Sequence, residues 1–310
     1  MKKKKIGILG LGGVGGFIGA PLAKAYANDP LVEIIFICRG ITKETIDKEG
    51  LTLESVNGTY NVKPDVVSDD PEAIGTLDAL IVATKSYGLI QALNSYEACI
   101  SADTLIVTQQ NMVNAKETIL KNISINQDQI VEGCIYVASN IKSPGYIKHL
   151  GGPGTVHIGG DKQHEWIANL LQQGGVDTTF YAAIKPVLWK KFLFLSPSAA
   201  VTAAYNVTFG QLAQNEELMN LFESLMQEVQ SLASKYGVNL KDEDTQAAIQ
   251  LIKTLPLQSK SSFQLDVEKN PQKTEKAFLI DFMVENGAQL GVDVQNYQKV
   301  SSKINALVVI

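Results

Sequence analysis

The first half of the chain alternates short apolar runs with segments of helical periodicity. Five of the runs are rich in β-branched residues and are bounded by turn residues, which is typical of parallel strands buried on both faces. These predicted strands are Ile6–Leu9, Val32–Cys38, Ala79–Ala83, Thr104–Thr108 and Ile130–Val137. Residues 50–64 differ, because Asn57-Gly58 stands between two alternating segments and predicts a β-hairpin.

After Pro186 the strand signals give way to helical ones. Residues 215–237 carry apolar positions at helical spacing and end at Gly237, a residue type that commonly follows a helix. Residues 242–255 and 274–291 show the same pattern. The patterns therefore predict two domains, an α/β domain over residues 1–182 and an all-helical domain over residues 183–310.

A glycine-rich turn directly follows the first predicted strand. The string Gly10-Leu11-Gly12-Gly13-Val14-Gly15 fits G-x-G-x-x-G, and a helix is predicted from about Val14 to Ala27. In that context Gly10 makes the tight turn, Gly12 lets a pyrophosphate approach the backbone, and Gly15 lets the helix pack on the strand. The N–H groups of the helix N-terminus favour phosphates. The alternative is a merely flexible loop, which would need neither the strand nor the helix. We therefore expect a dinucleotide site in a Rossmann-type domain.

The residue after the second predicted strand indicates which dinucleotide binds. An acidic side chain there would bind the ribose 2′-hydroxyl of NAD, but this chain has Arg39. A planar guanidinium matches a 2′-phosphate instead. We expect NADP(H) as the cofactor, and the alternative is that Arg39 is a solvated strand-end charge.

Composition narrows the function classes further. The 310 residues suffice for two domains, and the net charge of −5 argues against nucleic acid or an anionic membrane as the main partner. No apolar stretch reaches the length of a membrane span, and no signal peptide is recognised. The three cysteines give no disulfide framework, which predicts free thiols in a reducing compartment. We expect a soluble, cytoplasmic protein.

No metal site is predicted, because His149, His157 and His164 lack metal-ligand spacing. A small-molecule substrate is the expected partner. A homodimer is considered, although the sequence does not determine the oligomeric state.

Several motifs in a fixed order resemble the ketopantoate reductase family. The glycine turn and Arg39 are followed by V-A-T-K at a strand end, Q-N after the next strand, W-x-K, and finally S-S…D…T-E. The resemblance spans nearly the whole chain. It implies a Rossmann domain followed by a helical domain, with the active site between them. It also implies NADPH-dependent reduction of 2-dehydropantoate to pantoate on the route to coenzyme A.

The resemblance also implies roles for individual residues. Lys191 of W-x-K is the implied general acid, while the next-door Lys190 would point elsewhere on the helix. Lys85 and Asn111 would each contact both cofactor and substrate. Ser262 would bind substrate, and Glu275 would contact substrate and cofactor. The turn residues Gly10, Leu11, Gly12, Gly13, Val14 and Gly15, with Arg39, complete the implied cofactor site.

Other positions depart from the family pattern. Met112 replaces the glycine after Q-N, and Ala277 replaces an acidic residue. Leu195, Ala199 and Phe209 stand where the family has asparagines, and Ser196 and Ser198 are the hydroxyls nearest to that gap. Because such exchanges alter specificity strongly, a reductase of another 2-keto acid or ketone stays open. A non-catalytic NADPH-binding sensor is a further alternative.

Overall fold

The computed structural model describes residues 3–56 and 58–308, which form two compact units. The first contains the described residues up to Gln110 together with Asn114–Ile184. The second contains Asn111–Val113 together with the described residues from Lys185 onward. The first unit is α/β and the second is helical, so the predicted fold class is confirmed.

The first unit is built around one mixed sheet. Its strands are β1 (Lys4–Leu9), β2 (Val32–Ile37), β3 (Leu51–Ser55), β4 (Gly58–Val62), β5 (Val66–Ser68), β6 (Ala79–Val82), β7 (Leu105–Thr108), β8 (Ile130–Ser143), β9 (Tyr146–Gly159) and β10 (Thr178–Tyr181). Its α-helices are α1 (Gly13–Ala25), α2 (Gly40–Glu49), α3 (Pro71–Ile74), α4 (Leu89–Ser95), α5 (Ala115–Asn122) and α6 (Glu165–Gln173).

The strand order is β4-β3-β9-β8-β7-β6-β1-β2-β5, and β10 pairs with β9. The run from β8 to β5 is parallel throughout, as the apolar runs predicted. β8 continues to Ser143, beyond the predicted end at Val137, because antiparallel pairing with β9 extends it. The side chains of that extension are largely exposed, so no apolar pattern marks it in the sequence.

The predicted hairpin is confirmed in the pairing of β3 with β4. The two strands are antiparallel, with Ser55 opposite Gly58. Gly58 has a φ of +115°, a conformation that glycine adopts without steric penalty. Asn57, the other half of the predicted dipeptide, lies outside the described residues.

A four-residue ionic cluster joins β3 to the β8–β9 ribbon. Glu54 lies 2.8 Å from the ammonium of Lys148 and 3.2 Å from that of Lys142. Its Oε2 also accepts a hydrogen bond of 2.9 Å from the Tyr146 hydroxyl. The hydrogen bonds from Lys148, Tyr146 and Lys142 hold the pKa of Glu54 at about 2, so the carboxylate stays charged well into acid.

The second unit consists of helices packed around α7. Its α-helices are α7 (Lys185–Tyr205), α8 (Phe209–Gln214), α9 (Glu216–Lys235), α10 (Asp242–Thr254), α11 (Ser262–Lys269), α12 (Phe282–Leu290) and α13 (Gln295–Val308). Trp189 of α7 is buried against Phe192, Tyr236 and Phe282, with ring centroids 5.3 to 6.2 Å apart. The indole before the W-x-K lysines is therefore a packing anchor.

The predicted helices of this unit are observed with small differences at their ends. α9 ends just before Gly237, whose φ is +75°, as expected of a glycine after a helix. The predicted helix over residues 274–291 is divided, because Ala277–Asp281 forms a π-helical turn before α12. Such turns often occur at functional sites.

None of the described helices is long and apolar enough to cross a membrane. Cys38, Cys99 and Cys134 are all buried, and none of the three forms a disulfide.

Candidate active site

The glycine turn lies between β1 and α1. Gly10 has a φ of +93°, which makes the tight turn, and a Cβ there would lie 3.1 Å from Thr84. A Cβ at Gly15 would overlap the carbonyl oxygen of Gly10, so this glycine lets helix and strand meet. A Cβ at Gly13 would overlap the carbonyl oxygen of Ser139 in β8. Protein packing thus explains why these three positions are glycine.

Gly12 is different. Apart from its own atoms and those of its two neighbours in the chain, no described protein atom lies within 4 Å of where its Cβ would stand, and its φ of −80° suits any residue. Gly12 is also the N-cap of α1, and neither a side-chain cap nor an acidic residue occupies that end of the helix. Space that a side chain would fill is therefore open beside the N-terminus of α1. This arrangement fits a bound pyrophosphate.

A second feature lies at the carboxyl ends of β6 and β7. The hydroxyls of Thr84 and Thr108 and both amide atoms of Gln109 and Gln110 are buried and find no hydrogen-bond partner within the described residues. Each buried polar group without a hydrogen-bond partner destabilises the folded state by about 1–3 kcal/mol. Their concentration at this edge fits a polar ligand, since ligands of parallel α/β sheets bind at the carboxyl edge. No pattern in the sequence predicts these groups, because burial without a hydrogen-bond partner leaves no local signal.

Arg39 is exposed at the N-cap of α2, at the end of β2. Lys43, one turn further along α2, lies 2.5 Å from Asp69 Oδ1. The hydrogen bond from Lys43, helped by the charge of Arg39, lowers the pKa of Asp69. Burial and the nearby Asp69 raise the pKa of the Cys38 thiol to about 12, so Cys38 is neutral.

Lys85 is exposed and follows β6 at the carboxyl edge of the sheet, where it is the N-cap residue of a short 3-10 turn, Ser86–Gly88.

The histidines of this unit are engaged in local contacts. His149 Nε2 lies 2.9 Å from the carbonyl oxygen of Gly151, and His157 Nδ1 lies 3.0 Å from the hydroxyl of Tyr181. In the described part of the chain, no group of three or more histidine, cysteine, aspartate or glutamate side chains could hold a metal ion.

The second unit brings two predicted site residues together. The ammonium of Lys191 donates a hydrogen bond of 2.8 Å to Oδ1 of Asn111, although 80 positions separate the residues. Lys190 instead is exposed and pairs with Asp244 of α10 at 2.9 Å. The two neighbouring lysines therefore have different surroundings, and Lys191 is the one beside the predicted amide. Met112 is buried and the adjacent Asn111 is half-buried, and both belong to this unit.

The two predicted residues further along the chain lie in unlike environments. Ser262 is exposed as the first residue of α11. Its neighbour Ser261 is buried, caps α11 and lies 2.7 Å from the hydroxyl of Thr202. Glu275 is 2% exposed and lies two positions before the π-helical turn, where its carbonyl oxygen accepts from the N–H groups of residues 278 and 279.

The positions that depart from the family pattern are all apolar. Met112, Ala199 and Phe209 are buried, Leu195 is half-buried and Ala277 is exposed. Leu195 and Ala199 follow Lys191 at one-turn intervals on the same face of α7. Two hydroxyls that could have replaced the asparagines are already used. Ser196 bonds to the carbonyl of Leu279 and the hydroxyl of Tyr297, and Ser198 bonds to a backbone carbonyl of α7.

Residues 6–163 match the family model described as Ketopantoate reductase PanE/ApbA, and residues 183–308 match that of its C-terminal region. A 2-dehydropantoate 2-reductase from Nostoc sp. is 24% identical over 89% of this chain and 86% of its own length.

Solved structures share the fold. A PanE/ApbA family ketopantoate reductase from Ralstonia eutropha JMP134 superposes with a TM-score of 0.88 at 24% identity, over 98% of each chain. A ternary structure of D-mandelate dehydrogenase with NADH and anilino(oxo)acetate gives a TM-score of 0.86 at 19% identity, again over 98% of each chain.

Proposed function

The chain belongs to the ketopantoate reductase family and is an oxidoreductase of that family, and from this premise we propose that it reduces 2-dehydropantoate to pantoate with NADPH. This reaction is a step of pantothenate and coenzyme A biosynthesis. The observation that carries the proposal is the hydrogen bond from Lys191 to Asn111 at 2.8 Å. An acid and an amide side chain that the family pattern assigns to one reaction lie side by side. Three buried cysteines outside any disulfide suit a cytoplasmic location.

The cofactor half of the proposal rests on the first unit. The turn from Gly10 to Gly15 would hold the pyrophosphate, with Gly12 at the closest approach. Arg39 would pair with the 2′-phosphate, because a guanidinium presents two parallel donors to phosphate oxygens. Lys85, Asn111 and Glu275 would complete the cofactor contacts. When bound, NADPH supplies the hydride that the carbonyl carbon of the substrate receives.

The chain itself supplies the proton and the orientation. Lys191 donates a proton from Nζ to the carbonyl oxygen while the carbon gains the hydride, so the ketone becomes a secondary alcohol. Its ammonium also stabilises the charge that grows on that oxygen. Asn111 holds Lys191 in place. Lys85 adds positive potential for the substrate carboxylate, and Ser262 and Glu275 bind the far end of the substrate.

A second candidate, favoured by the apolar face of α7, is a reductase of this family that acts on another 2-keto acid or ketone. Leu195 and Ala199 offer no hydrogen bonds, and the hydroxyls of Ser196 and Ser198 are engaged inside the second unit. A site without hydrogen-bond partners for the substrate hydroxyl distinguishes weakly between a substrate that carries this hydroxyl and an analogue that lacks it.

One assay separates the candidates. NADPH oxidation is followed by absorbance across a panel of 2-keto acids that includes 2-dehydropantoate and analogues without its hydroxyl. Highest kcat/KM with 2-dehydropantoate supports the proposal, whereas preference for an analogue supports the second candidate. Tight NADPH binding without turnover of any member would overturn both and leave an NADPH-binding sensor.

A further inference from the structure

We propose that Lys43 and Asp69 act with Arg39 to select the 2′-phosphate of NADPH over the 2′-hydroxyl of NADH. The proposal rests on the proposed function, since it places the ribose of a dinucleotide at the end of β2. It gives Lys43 a direct role in binding the phosphate. It makes Asp69 a charge that orients Lys43 and that Lys43 must neutralise.

The sheet brings Asp69 to the same edge as Arg39. β5 is parallel to β2, with Ser68 opposite Ile37, and the N–H of Cys38 donates to the carbonyl of Ser68. Asp69 follows Ser68, and Arg39 follows Cys38, so both emerge at the carboxyl edge of adjacent strands. That edge is where a Rossmann-type site places an acidic residue for the ribose 2′-hydroxyl of NAD. Asp69 thus supplies, from a neighbouring strand, the carboxylate that β2 itself lacks.

The ion pair with Lys43 changes what that carboxylate can do. Lys43 Nζ lies 2.5 Å from Asp69 Oδ1, and the two side chains are 37% and 34% exposed. The hydrogen bond with Asp69 raises the pKa of Lys43, and the charge of Asp47 on the next turn of α2 adds to this effect. Lys43 is therefore fully protonated at neutral pH.

An ammonium has three N–H donors and Asp69 uses one of them, which leaves two for a phosphate oxygen. Arg39 is the N-cap residue of α2 and Lys43 lies in the first turn of that helix, so both cations lie at the same helix end and can serve one anion. Without Lys43, the carboxylate of Asp69 would repel a phosphate and accept from a hydroxyl. The pair therefore favours NADPH only while Lys43 is present.

The test uses the full chain and two cofactor fragments, 2′,5′-ADP and 5′-AMP, titrated by calorimetry. Neither carries nicotinamide, so binding is measured without turnover. A charge-assisted contact that is partly exposed corresponds to about tenfold in affinity. We expect Lys43→Ala to lose about that factor for 2′,5′-ADP and nothing for 5′-AMP. The double variant Lys43→Ala/Asp69→Asn should recover part of the loss, because the repelling charge is gone while the contact from Lys43 is still missing.

Two controls accompany the series. Lys48→Ala removes the same charge from the last turn of α2 and should bind both fragments as the unmodified chain does. Lys43→Gln repeats the test with most of the side-chain stem retained. Unchanged thermal midpoints are expected, because both side chains of the pair are about one-third exposed.

The outcomes separate the inference from the function on which it rests. If Lys43→Ala and Lys43→Gln bind 2′,5′-ADP normally while Arg39→Ala loses it, the inference is wrong and the NADPH site stands. A loss that the double variant does not recover overturns the role of Asp69. If the unmodified chain binds the two fragments equally, the proposed preference for NADPH itself fails.

Discussion

Replacing Lys191 by alanine tests the proposed mechanism most directly. The substitution removes the proton donor and also the charged partner of Asn111, 2.8 Å away. A positioned general acid contributes about 10²–10⁴ in rate, which corresponds to about 2.7–5.4 kcal/mol of activation free energy. The charged hydrogen bond to Asn111 is worth about 1.5–3 kcal/mol in favourable cases. We therefore expect kcat to fall by about a hundred- to ten-thousand-fold, with the Kd of NADPH nearly unchanged.

The neighbouring lysine provides a matched control. Lys190 pairs with Asp244 at 2.9 Å while its own side chain is 52% exposed. An exposed pair contributes about 0.2–1 kcal/mol to stability, so Lys190→Ala should fold and turn over almost normally. Lys191→Arg keeps a cation but cannot release a proton at neutral pH, so it should recover electrostatic stabilisation without the acid step.

The assay combines steady-state kcat and KM, from NADPH absorbance, with NADPH affinity from fluorescence titration. The double variant Lys191→Ala/Asn111→Ala should lose less than the sum of the single variants, because the two side chains form one unit. Near-normal kcat in a correctly folded Lys191→Ala protein would refute the assignment. A collapse of kcat in Lys190→Ala would show that the neighbouring lysine is the acid.

Three further predictions concern the turn, the substrate and acid stability. Gly12→Ala should unfold at the same temperature as the unmodified chain yet bind NADPH about tenfold more weakly. Gly15→Ala should lose at least about 1–3 kcal/mol of folding stability, because its methyl group would overlap the backbone. NADPH titration by calorimetry and thermal melts distinguish the two variants, and equal effects of both substitutions would contradict the assigned roles. Glu275→Ala should raise KM chiefly for 2-keto acids that carry a hydroxyl, and a uniform loss across the panel would remove that role. Because the pKa of Glu54 is lowered from 4.5 to about 2, the stability it contributes is present above its unfolded value and is lost as pH falls toward 2. Glu54→Gln should therefore flatten the pH dependence of urea unfolding between about pH 5 and about pH 2, and an unchanged slope would rule out the cluster as its source.

The sequence by itself determined the local elements of this protein. The parallel strands could be predicted because burial on both faces requires continuous apolar runs. The helices of the second unit could be predicted because the apolar residues of one buried face repeat at helical spacing. The glycine turn could be predicted for a related reason. The positive φ of Gly10 and the close approach of Gly15 to the carbonyl oxygen of Gly10 both arise within one strand–turn–helix unit. The family resemblance added the order of the motifs along the chain.

Only the tertiary structure decided which distant residues meet. No periodicity links Lys191 to Asn111 across 80 positions, or shows that Asn111–Val113 clusters with the helical unit. The pairing of Lys43 with Asp69 likewise depends on β5 lying beside β2, a choice of sheet order that neither strand encodes alone. The exposed extension of β8 forms because β9 supplies hydrogen-bond partners for its backbone. Local patterns record which face of an element is buried, whereas the partner of a charge or a backbone edge is set by how the whole chain packs.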